Sequence, residues 1–177
     1  MTRRLLAALT VVTALVLAAC GTQADDDTAH NGADVMFAQQ MVPHHEQAVE
    51  MADLALDLAR GASAEVVDLA QRMGTAQQPE IDELTGLLQE WGEDASSGHG
   101  GHDMAGMMTD EQMSQFADSA GATFDERWLQ MMVEHHEGAL EMAETEAADG
   151  QDADATALAR TIVETQQAEI AEMKELL

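Results

Sequence analysis

Met41-Val42-Pro43-His44-His45-Glu46-Gln47-Ala48-Val49-Glu50-Met51-Ala52 returns 91 residues later as Met132-Val133-Glu134-His135-His136-Glu137-Gly138-Ala139-Leu140-Glu141-Met142-Ala143, with nine of twelve positions identical. Unrelated segments do not agree to that degree, so the chain carries an internal duplication. Upstream, Asp34 and Phe37 correspond to Asp125 and Trp128. Downstream, Gln77-Gln78 with Glu80-Ile81 recurs 89 residues on as Gln166-Gln167 with Glu169-Ile170. The repeated unit is therefore a helical hairpin, and two hairpins make a four-helix bundle.

The periodicity supports this. At about 100° per residue, Phe37, Met41, Ala48, Met51 and Ala55 lie within about 60° of His44. His45 falls on the flank of that stripe, and Glu46, Glu50 and Asp53 point away. The first helix is expected over 34–60, capped by Asp34 and stopped by Gly61. Pro43 should kink or restart it. The second runs from Ser63 to Trp91, with Gln77 on its apolar line and Pro79 bending it. Thr109 to Gln112 is a capping box that opens a short helix to about Ala120. Thr123 to Glu126 reads as another, opening a helix to about Ala148 on the stripe Trp128, Met131, Met132, His135, Ala139 and Met142. The last helix runs on Leu158, Ile162, Gln166, Ile170, Met173 and Leu177. The expected domain spans 34–177: a first hairpin over 34–91, a His/Met linker with the short helix over 92–122, and a second hairpin over 123–177.

Residues 1–19 read as a signal peptide. Arg3 and Arg4 precede an apolar run from Leu5 to Ala19, too short for a comfortable membrane span. Leu17-Ala18-Ala19-Cys20-Gly21 resembles a bacterial lipobox, which makes Cys20 the lipidation site of an exported protein held at the outer face of the cytoplasmic membrane. Cys20 is the only cysteine, so no intrachain disulfide forms. Residues 20–33 read as a tether. The formal charge is −27, and loss of Arg3 and Arg4 with the leader makes it −29. Such a surface repels nucleic acid.

The chemistry lies in the 7 histidines and 13 methionines. Neighbours on a helix point about 100° apart, so one His-His pair does not readily chelate a single ion. Pairs from two facing helices can. With approximate twofold symmetry His44 and His135 meet across the core, with Met41, Met51, Met132 and Met142 around them and His45 and His136 beside them. Imidazole suits copper, zinc and iron, whereas thioether selects Cu(I). Taken singly, each copy fits core histidines bonded to Gln77 and Gln166 among packing methionines better than a metal site; the duplication of the whole set tips the reading to metal. Gln77 and Gln166 then read as residues orienting the ligands. The glycine-rich loop adds His99, His102, Met104 and Met107, a solvated segment with little ability to pack and suited to capturing copper.

The duplicated Met-x-x-His-His-x-x-Ala-x-x-Met-Ala, preceded by Phe37 or Trp128 and split by a His/Met-rich linker, resembles the domain of unknown function 305 family from about Asp34 to the end. The resemblance implies a ferritin-like fold, export with frequent lipid anchoring, and association with copper. It implies copper contacts at Met41, His44, His45 and Met51, and at Met132, His135, His136 and Met142. Pro43, present in the first copy only, argues against exact symmetry of the two half-sites.

A ferritin-like di-iron oxidase would need a glutamate three residues before its histidines. Met41, Val42, Met132 and Val133 stand there instead. No thiol or Ser/His/Asp grouping supports nucleophilic catalysis. The expectation is a copper-binding protein, not an enzyme, with Cu(I) as favoured cargo. Its partners are the metal and the membrane; a copper-receiving protein or a second copy stays open. The competing reading is a tethered helical interaction module, which gives no reason for two His-His pairs on the core stripe.

Overall fold

The computed structural model describes residues 29–95 and 104–177. The leader, Cys20, most of the tether, and His99 and His102 lie outside the described residues. Five helices follow in order: α1 (Gly32–Leu56), α2 (Ala64–Trp91), α3 (Asp110–Ala117), α4 (Ala122–Asp149) and α5 (Ala153–Leu176). The fold is all-helical. Pairs α1/α2 and α4/α5 form the two hairpins, which meet chiefly along α1 and α4. No helix among the described residues is long and apolar enough to cross a membrane.

The helix ends show where local signals held and where they were redirected. Ser63 caps α2, Gly92 ends it in the left-handed conformation, and Thr109 and Gln112 form the capping box of α3. Asn31, not Asp34, caps α1: its side chain accepts from the Ala33 and Asp34 N–H groups. Asp34 sits in the first turn, returns a bond to the Asn31 N–H, and accepts from Gln151 N at 3.0 Å and Asp152 N at 2.9 Å. The expected Thr123 cap is likewise absent. Gly121 starts α4 with no side-chain cap, and Asp125 accepts from Ser63 N at 3.1 Å. Asp34 and Asp125 are thus equivalent: each helix of the central pair uses its first-turn aspartate to grip the start of the outer helix in the other hairpin. Asp34 adds this tertiary grip to its place in the local capping box. α1 stops at Leu56, a turn earlier than Gly61 suggested, where Asp57 turns extended and takes the Ala59 N–H. Both α1 and α2 continue through Pro43 and Pro79, so neither proline restarts its helix.

Apolar packing falls into two clusters. One joins Ala48, Met51, Ala52 and Ala55 of α1 to Phe124, Trp128, Met132 and Val133 of α4, with Leu69, Met73, Ile170 and Met173. The other joins Phe37, Ala38, Met41 and Val42 to Ala139 and Ala143, with Leu84, Leu88, Leu158 and Ile162. Between them in sequence, on all four long helices, stand His44 and His45, Gln77, His135 and His136, and Gln166. All six are at most 3% exposed. A polar layer therefore divides the core in two.

Candidate metal centre

The layer is built from the duplication itself. Three or four residues separate each His-His pair from the flanking methionine and alanine of its own stripe, so the imidazoles enter the core where α1 and α4 face each other. The rings of His44 and His135 lie 3.7 Å apart between centroids, tilted by 37°. His45 Nε2 is 2.8 Å from a carboxylate oxygen of Glu80, and His136 Nε2 is 2.9 Å from one of Glu169. His44 Nε2 lies 3.2 Å from the Ala105 carbonyl. These bonds leave four buried ring nitrogens with no partner among the described residues: Nδ1 of His44, His45 and His136, and Nε2 of His135. An unsatisfied buried polar atom costs about 1–3 kcal/mol, and a fold rarely tolerates four in one layer without a use for them.

The electrostatics favour neutral rings. Burial pushes His44 down to about 3, and the neighbouring His45 and His136 push the same way. Burial, then the charge of His44, holds His135 well below its ordinary value. At neutral pH both rings therefore keep a lone pair free, the state that binds metal. For His45 and His136, a carboxylate accepting at Nε2 leaves Nδ1 as the free donor atom, the arrangement in which an outer carboxylate orients a ligating imidazole.

Glu80 and Glu169 are the residues that sequence reasoning missed. Glu46, Glu50 and Asp53 of α1 do point away, but α2 and α5 supply these two from outside. Gln77 and Gln166 were expected to hold the histidines; their Oε1 atoms instead have no hydrogen-bond partner. The signal was present in the second echo, which repeats both the glutamines and the glutamates. A glutamine on the apolar line is already in the layer, whereas the glutamate one turn on is long enough to reach in from its edge.

Among the described residues no three His, Cys, Asp or Glu side chains group to hold an ion. A centre at His44 and His135 would draw its remaining donors from sulfur. Met41 belongs to one apolar cluster with Met142 packed against it, and Met51 and Met132 belong to the other, so thioethers flank the layer on both sides.

The linker differs from the solvated loop expected of its composition. Its described end does not float in solvent but packs on the layer. Met108 is buried, and its backbone N–H and carbonyl are both held at 2.8 Å by the Gln47 side chain. Gly106, at φ +77, lies against the His135 carbonyl, and a Cβ on Gly138 would collide with the Ala105 carbonyl. Gln47 and Gly138 occupy the same position of the repeat and make up one of its three differences. Each departs from symmetry to seat one asymmetric segment. Met104 and Met107 are partly buried on it.

Residues 34–177 match the profile of a family described as Domain of unknown function (DUF305). The chain belongs to the DUF305 family. Among solved structures it is similar to a DUF305 protein from Streptomyces coelicolor, with 34% identity and a TM-score of 0.76 over 82% of this chain and 91% of that one. A DUF305 fragment from Deinococcus radiodurans is 26% identical, with a TM-score of 0.74 over 82% and 95%. CopM in its Cu(II)-bound form is 30% identical, with a TM-score of 0.69 over 81% and 94%; CopM has also been solved with Cu(I) and with silver. No curated protein matches the chain. DUF305 membership supplies the bundle but no role, which rests on the layer.

Proposed function

We propose that this DUF305 protein binds copper in the layer between its two apolar clusters and holds it as cargo outside the cytoplasm. The observation that carries this reading is the set of four buried imidazoles, each with one ring nitrogen unpartnered, two of them in ring contact across the central helix pair. His44 and His135 are the central ligands. Met41, Met51, Met132 and Met142 supply soft sulfur from either side, and His45 and His136 stand beside them, oriented by Glu80 and Glu169. Two neutral imidazoles with thioethers suit Cu(I) better than zinc, iron or a hard ion. Copper in both oxidation states and silver are the ions bound by the structurally similar CopM.

The role is sequestration or hand-over, not catalysis. The layer has no core glutamate at the positions a di-iron site uses, and thioether donors stabilise the reduced ion rather than cycling it. Cys20 anchors the mature chain to the membrane, which places the bundle where copper arrives from outside. The test is competition of the purified protein with a chromophoric Cu(I) chelator under reducing conditions, with zinc and iron alongside. Tight Cu(I) binding with weak zinc and iron is the expected result. No binding of any metal would overturn the reading and leave the bundle as an interaction module.

A further inference from the structure

The two clusters end differently. The cluster of Met51, Met132 and Trp128 is closed by Met108 and by Phe116 of α3, whose ring stacks on Phe124 at 4.7 Å. The other end carries a groove of about 630 Å³ between the start of α1 and the end of α4. Three methionines from three separate elements line it: Met36 of α1, Met104 of the linker and Met142 of α4. Ala105 lies in the same lining, and its carbonyl is the hydrogen-bond partner of His44. The groove is thus one residue away from the histidine layer.

We propose that this groove is a second soft-metal site, a thioether port that takes a monovalent d10 cation from solvent and passes it to His44 and His135. Met36 is 58% exposed, on a face of α1 where packing does not call for it. Its equivalent in the other repeat is Arg127, and the equivalent of the partly buried Met142 is Met51, sealed at 0% exposure. Thioethers therefore line an open cavity at this end, whereas the matching Met51 at the other end is sealed in the core. The lining contains no Lys or Arg, and Glu141 adds a carboxylate. Neutral sulfur donors beside a negative rim attract cations yet discriminate against hard ones. The port's destination rests on the copper reading above; its own affinity does not.

The test uses the full chain with 13C-methyl methionine, titrated with Ag(I) as a redox-inert soft probe. In His44→Ala/His135→Ala protein, the Met36, Met104 and Met142 methyl resonances should shift with the first silver bound. Met36→Leu/Met104→Leu protein keeps the apolar bulk, and should lose that step. It should also load Cu(I) about tenfold more slowly, the rate equivalent of one decade in barrier, at unchanged final affinity. Silver that shifts only the other methionines, or none, overturns the port, as does a leucine variant that titrates like its parent. If the groove methyls respond while the two-alanine change costs no Cu(I) affinity, the port stands and the central site falls.

Discussion

The two ends of the core begin from the same repeat and finish in opposite states. At the end built on Met51 and Met132, the linker and α3 lay Met108, Met113 and Phe116 over the core. At the end built on Met41 and Met142, nothing equivalent from the described residues covers the groove, and a carboxylate stands where the other end has a methyl. Glu146 occupies the position matched by Ala55, and both are buried. Burial, then the hydrogen bond and negative charge of Asp34, raises Glu146 to about 8. Burial alone would also raise Asp34, but hydrogen bonds with Asn31, Glu146, Asp152 and Gln151 outweigh it and hold Asp34 below its ordinary value. A symmetric bundle can be made directional by closing one end and leaving the other polar and accessible.

The largest expected effect breaks the sealed end. Phe116→Ala removes a fully buried ring from the α3 lid and should cost about 3–5 kcal/mol, read by chemical denaturation. A loss under 1 kcal/mol would mean that α3 does not close that end. Next comes the layer shared by both ends. His44→Ala with His135→Ala should lower Cu(I) affinity by more than the roughly 10–100-fold typical of an outer partner, with helicity unchanged by circular dichroism. Tight binding that survives would move the site to the linker.

Glu146→Gln sharpens the contrast through pH. Because Glu146 titrates near 8 when folded and in the ordinary carboxylate range when unfolded, the native state binds more protons between those values. Stability contributed by this group therefore falls as pH rises across that interval, by at most about 1.4 kcal/mol per unit, and levels off above it. Asp34, shifted the other way, contributes stability that is lost only on acidification through its folded value. The glutamine variant should flatten the alkaline side of the profile, and denaturation midpoints with the wild-type slope from pH 5 to 8 would refute this account. The smallest effect compares the hairpins directly. Glu80→Gln and Glu169→Gln should each weaken Cu(I) binding about tenfold, and equally if His45 and His136 are equivalent. A deficit for one alone would assign the metal to that half.

How far the chain could be read in advance varies by element. The hairpins, the four long helices and the meeting of His44 with His135 were legible because duplication and 3.6-residue periodicity are properties of the string. The division of the core by a polar layer was half legible, in the glutamines that interrupt two apolar stripes. The role of Glu80 and Glu169 was not, because reach across a helix boundary depends on how α2 and α5 rotate about their axes. The caps expected at Asp34 and Thr123 failed for a related reason: the helices start earlier, at Asn31 and Gly121, and the first-turn Asp34 and Asp125 are claimed by N–H groups more than 60 residues away.

One-dimensional pattern alone settled that this chain is a pair of helical hairpins with histidines and methionines turned inward, since burial of an apolar stripe follows from spacing. Folding decided the rest. Gln47 and Gly138 look like drift between two copies until the linker lies across them, and α3 looks like a connector until Phe116 meets Phe124. Which end of a duplicated core is sealed depends on where one unduplicated segment packs, and no repeat encodes that.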